Sequence, residues 1–86
     1  MGNQDLENTI LSKLSVLAPS EIKLIDESRL HVGHAGVKER GGCHYHLLIA
    51  SPKFHGLTLI NQHKLIYATL GDLIGREIHA LRITIL

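Results

Sequence analysis

The sequence predicts an α+β domain in the order α-β-β-α(-α)-β, with helices on one face of a three-stranded sheet. Three observations lead there. Apolar residues recur at helical spacing over residues 5–17 and again over residues 58–74. Three shorter runs alternate with period two. Proline and glycine stand at the joints between them. The chain has 86 residues, which makes one domain the expectation for 1–86. A chain of this size buries roughly 60% of the surface that its unfolded form exposes, so the expected core is thin.

Residues 5–17 open the pattern. Leu6, Ile10, Leu11, Leu14 and Leu17 lie on one helical stripe, with Asn3 or Asp5 as the expected cap and Pro19 as the stop. Residues 21–27 read as a strand, with Ile22 and Leu24 opposite Glu21, Lys23 and Ile25. A polar stretch from Ser28 to Cys43 follows and holds Gly33, Gly36, Gly41 and Gly42. Nothing in it can fill a core, so an exposed functional loop is expected.

Residues 44–51 form the second strand. Tyr45, Leu47 and Ile49 share one face, and His44, His46, Leu48 and Ala50 the other. An antiparallel hairpin with the first strand is the simplest pairing. Pro52 ends it. Residues 58–74 return to helical spacing through Leu59, His63, Ile66, Tyr67, Leu70, Leu73 and Ile74. Thr58 or Asn61 is the expected cap, a bend is expected near 57–60, and Gly75 is the expected stop. Residues 78–86 make the last strand. Strict alternation places His79, Leu81, Ile83 and Ile85 toward the core and Arg82 and Thr84 away from it.

Composition narrows the function. Nine Lys and Arg stand against eight Asp and Glu, for a net charge of +1. Proteins that grip nucleic acid mainly through phosphates carry a clearer basic excess. The single cysteine excludes an internal disulfide and a self-contained four-thiolate metal site. No run reaches the roughly 18 apolar residues of a membrane span. The start, Met1 to Asp5, lacks the basic and apolar regions of a secretory signal. The expectation is a soluble, cytoplasmic protein of a reducing compartment. A transit peptide removed on import into an organelle would leave no trace in this chain.

Seven histidines direct attention to metal chemistry. His31, His34, Cys43 and His44 lie in or beside the glycine-rich stretch, and His79 opens the last strand. Imidazole and thiolate are ligands for zinc and iron. The spacing fits no zinc template, so a half-site completed by a partner is the more economical reading. Read from its strand alone, His79 is a core histidine satisfied by hydrogen bonds, and His34 alone is a solvated loop side chain.

Two other chemistries are less well supplied. Gly33-His34-Ala35-Gly36 spells the G-x-x-G clamp of KH domains, but between strands rather than helices. The connection that should carry a clamp, Phe54-His55-Gly56-Leu57, has one glycine. Lys53, Lys64 and Arg76 could touch phosphate, and three aromatics, two at expected core positions, offer little stacking. Cys43 beside His44 suggests a thiolate nucleophile, yet adjacent strand residues face opposite sides. No carboxylate pair, G-x-S-x-G or phosphate loop is present. An enzyme is not expected.

The ordered motifs resemble the BolA-like family, of the type with a histidine in the loop. The resemblance runs through Asp26-Glu27-Ser28, His31-Val32-Gly33-His34-Ala35-Gly36 and Cys43-His44-Tyr45. It continues in Ser51-Pro52-Lys53-Phe54-His55-Gly56, Gln62-His63-Lys64-Leu65-Ile66-Tyr67 and Ile78-His79-Ala80-Leu81, over about residues 6–85. It implies an α-β-β-α-α-β fold similar to a type II KH domain. It also implies a non-enzymatic partner of a monothiol glutaredoxin, joined to it as a heterodimer sharing a [2Fe–2S] cluster with glutathione. That role belongs to iron–sulfur cluster trafficking or iron sensing. Carried over by position, the metal ligands are His79 and His34, with His31 and Cys43 as alternatives for the loop ligand. Imidazoles in place of thiolates leave a cluster less negative and raise its reduction potential. The family also contains DNA-binding regulators of cell shape and stress response, the alternative in which Lys53, Lys64 and Arg76 would contact DNA. Gln62 and Lys64 stand where the family has arginines around the helix histidine, which lowers positive charge there.

Overall fold

The computed structural model describes residues 2–27 and 43–86, with only the backbone described at Gly2, Asn3 and Cys43. Helix α1 spans Gly2–Leu14 and tightens into a 3-10 turn at Ser15–Leu17. Strand β1 is Glu21–Asp26 and β2 is Cys43–Ala50. A 3-10 turn at Pro52–Phe54 leads to α2, Leu59–Leu70, and a further 3-10 turn at Gly71–Leu73 precedes β3, Ile78–Ile85. The α+β class and element order expected from the sequence are present, with the expected short extra helix reduced to the turn before α2.

The sheet is ordered β1-β2-β3. Strand β1 pairs antiparallel with β2, from Glu21 opposite Ala50 to Asp26 opposite Tyr45. Strand β3 pairs parallel with β2 on its other side. A parallel neighbour requires a crossover, and α2 provides it. Strand β2 is therefore central, and its inward residues Tyr45, Leu47 and Ile49 are buried to 1%, 0% and 0% exposure. Ile10 and Leu14 of α1 and Ile66 and Leu70 of α2 close over them. Ile22 and Leu24 of β1 and Leu81, Ile83 and Ile85 of β3 border this core half-buried.

The helix ends differ from the sequence reading in instructive ways. Asn3 and Asp5 lie inside α1 rather than at its cap, so Asp5 meets the positive end of the helix dipole instead. The C-terminal exit runs through Ala18, left-handed at φ 48°, whose N–H donates to the Ser15 carbonyl at 2.9 Å. Pro19 follows and prevents continuation. Thr58 does cap α2, its hydroxyl accepting from the Asn61 N–H at 3.2 Å. Gly71, at φ 60°, ends α2 before the expected stop at Gly75, which instead turns the chain into β3 at φ 90°. Tyr67, on the expected apolar stripe, is 40% exposed, while Phe54 is buried. Ser51 joins the turn after β2 to the end of α1, its hydroxyl donating to the Leu17 carbonyl and accepting from the Lys53 N–H.

A left-handed alanine costs roughly 1–2 kcal/mol relative to the right-handed conformation. Glycine removes that cost but has more freedom to lose on folding. Ala18→Gly should therefore raise the unfolding free energy by about 0.5–1 kcal/mol, read as a higher urea midpoint at unchanged m-value.

Candidate functional site

Strict alternation fails at the start of β3, and this failure places His79. Cys43 is the register partner of Ile78, but His44 is the partner of Ala80. His79 is thus an extra residue, a β-bulge in the ladder. Ile78 is buried to 1%, and both His79 and Ala80 are exposed. From Leu81 onward the inward and outward positions alternate again. The core position expected for His79 belongs to Ile78. A buried imidazole would need hydrogen-bond partners within an apolar core, and the bulge turns it to the surface instead.

The location follows from the strand directions. Strand β3 begins beside the start of β2, and the antiparallel β1 ends there. His79 therefore sits at the end of the sheet where the chain leaves β1 after Asp26 and enters β2 at Cys43. His31 and His34 lie outside the described residues, as does the rest of the connection through Gly42. Cys43 is the first residue of β2, next to Ile78 in register. Among the described residues, no group of three or more His, Cys, Asp or Glu side chains is placed to hold a metal ion.

Further along β3 from His79, the outward face of the sheet carries a polar network that sequence reading did not identify. The Arg82 Nη2 donates to Glu27 Oε2 at 2.6 Å. The same carboxylate oxygen stands 3.8 Å from His46 Nδ1, and His46 Nε2 lies 2.7 Å from the Thr84 hydroxyl. Glu27 also donates its backbone N–H to the His44 carbonyl at 2.7 Å, extending the β1–β2 pairing by one residue. Side-chain exposure is 19% for Glu27 and 13% for His46, against 63% for Arg82. The outward parity of His46, Arg82 and Thr84 was visible in the sequence. Their juxtaposition depends on the parallel β2–β3 register, which the sequence does not display.

The three candidate phosphate contacts are dispersed. Lys53 lies in the turn after β2, Lys64 on α2, and Arg76 just before β3, all exposed. Lys53 and Arg76 flank opposite ends of the sheet, separated along β2 by seven steps of about 3.3 Å, or roughly 23 Å. Arg76 is already engaged with Asp72 at 3.1 Å. Phe54, in the connection where a KH clamp would stand, is buried in the core, so among the aromatics Tyr67 alone is substantially exposed. Among the described residues, no helix is long and apolar enough to cross a membrane.

An exposed bulge residue contributes little packing. His79→Ala should change the unfolding free energy by less than about 0.5 kcal/mol, measured by denaturant titration, whereas a buried histidine in that place would cost several times more.

Comparison with known proteins supplies context for this geometry. The family model described as BolA-like protein matches residues 14–86. The "SufE-like protein 1, chloroplastic/mitochondrial" of Arabidopsis thaliana is 39% identical over 71 residues, covering 78% of this chain and 19% of that protein. The chain thus spans about a fifth of that relative's length. The "DNA-binding transcriptional regulator BolA" of Vibrio cholerae is 33% identical over 79 residues, covering 91% of this chain and 71% of the relative. Among solved structures, BolA1 from Arabidopsis thaliana superposes with a TM-score of 0.76 at 34% identity, covering 91% of this chain and 86% of the other.

Proposed function

This chain belongs to the BolA-like protein family, and from that premise we propose that it is a non-enzymatic partner of a monothiol glutaredoxin. In this reading the two proteins form a heterodimer that shares a [2Fe–2S] cluster with glutathione, in cluster trafficking or iron sensing. The observation that carries the reading is the exposure of His79 on a β-bulge, at the sheet end where β1 finishes and β2 begins.

The donor chemistry fits. A [2Fe–2S] cluster takes four protein-side ligands, and imidazole is an accepted replacement for thiolate on one iron. A glutaredoxin cysteine and the glutathione thiol supply two. His79 supplies a third from a backbone held by the β2 ladder. His34 supplies the fourth, with His31 and Cys43 as the competing donors from the same connection. Only a neutral imidazole has a lone pair to give, so ligation weakens as acid protonates the two histidines. Neutral donors also leave less negative charge at the metal than thiolates, which favours reduction.

A second reading, a DNA-binding regulator of cell shape and stress response, is favoured by the named activity of the Vibrio cholerae relative. Lys53, Lys64 and Arg76 would then contact phosphate. Their dispersal over three elements, with Arg76 paired to Asp72, counts against this second reading.

Two measurements test these readings. His79→Ala and His34→Ala, each mixed anaerobically with cluster-loaded monothiol glutaredoxin, should abolish the visible-spectrum change produced by the unaltered protein. Spectra identical to that of the unaltered complex would overturn the ligand assignment. For DNA, three phosphate contacts would give a slope of roughly −3 in log K against log salt. Micromolar protein is expected to leave duplex and single-stranded DNA unretarded at low salt, and retardation with that slope would restore the second reading.

A further inference from the structure

The same ladder irregularity that exposes His79 creates a problem of register. Strand β3 reaches its parallel pairing with β2 only by inserting one residue between Ile78 and Ala80. It is also an edge strand, held by a neighbour on one side only. A one-residue slip would remove the bulge and exchange the two faces of the strand. His79 would take the regular ladder position opposite His44 instead of the bulge, and Arg82 and Thr84 would face the core.

The hydrophobic pattern of Leu81, Ile83 and Ile85 opposes that slip on the inner face. On the outer face the polar network opposes it by direct ties. Arg82 is the register partner of His46 and binds Glu27, the residue that follows β1. Thr84 is the register partner of Leu48 and meets His46 along the diagonal. The ties thus link all three strands, and both of their β3 members lie just beyond the bulge. Each bond lies at the surface and adds little to global stability. Together they specify position rather than supply energy.

We propose that Arg82 and Thr84, through Glu27 and His46, are positioning residues that hold β3 in its bulged register and so fix the His79 imidazole for metal ligation. The inference rests on the shared-cluster reading. Neither residue touches the metal. Both act on the backbone that carries the ligand rather than on the imidazole itself.

The test uses the complex of the full chain with cluster-loaded monothiol glutaredoxin under anaerobic conditions, challenged with an iron chelator. Loss of visible absorbance gives the rate of cluster release. The double variant Arg82→Gln/Thr84→Val, which removes the charge and the hydroxyl, should release the cluster roughly tenfold faster. The conservative double variant Arg82→Lys/Thr84→Ser should release it within about twofold of the unaltered rate, a rescue that loss of packing alone would not give. Affinity for apo-glutaredoxin should stay the same in all variants. A Gln/Val variant that releases the cluster at the unaltered rate, while His79→Ala still changes the spectrum, overturns the positioning role and leaves the shared-cluster reading standing. Equal weakening of apo-glutaredoxin binding also overturns it, because the residues would then belong to the docking surface. Should His79→Ala leave the spectrum untouched, the shared-cluster reading fails and this inference with it.

Discussion

One surplus residue at the start of β3 governs what this fold presents to its surroundings. Ile78 and Leu81 both point inward, which an unbroken strand cannot achieve at that spacing. The bulge reconciles the two. It lets an isoleucine fill the core beside β2 while the following imidazole meets solvent. Without it, the apolar demands of the core and the polarity of His79 would compete for one position, and desolvation of the ring would weigh against the fold.

Much of the architecture was legible because it rests on local pattern. Tyr45, Leu47 and Ile49 alternate cleanly, and their strand lies in the middle of the sheet with its inner face fully buried. Thr58 announced the start of α2, since a hydroxyl before an apolar stripe satisfies an otherwise unbonded helix N–H. What was not legible depends on partners distant in the chain. The alternation of β3 was right from Leu81 onward and wrong at His79, because the bulge is defined only against β2. The contact of Glu27 with Arg82 crosses from one edge of the sheet to the other, and no spacing rule announces it. Tyr67 fell on the expected stripe of α2 but is exposed, while Ile66 and Leu70 of the same helix are buried. For the candidate ligands, the motif Ile78-His79-Ala80-Leu81 singled out His79, while its surface exposure required the register.

Charge and aromatic placement give the surface its character. The cations considered for phosphate are spread over a turn, a helix and the approach to β3, and Arg76 is neutralised locally by Asp72. Two of three aromatics are committed to the core. Among the described residues there is neither a continuous cationic track nor a stacking platform, the two features that sequence-tolerant nucleic-acid binders combine. The outer sheet face is instead organised by short hydrogen bonds that join the half-buried Glu27 and His46 to the exposed Arg82 and Thr84.

The parallel pairing of β2 with β3 also has a kinetic meaning. Every hydrogen bond of that ladder joins segments separated by the whole crossover, residues 51–77. Closing such a loop costs chain entropy before any strand bond repays it, whereas α1 and α2 gain their turns from near neighbours. The kink that displays His79 has no existence in an isolated β3 peptide, nor in an assembly intermediate made of helices and the β1–β2 hairpin. The exposed imidazole acquires its placement only when the sheet is complete, so the display of this side chain and arrival at the native topology are one event.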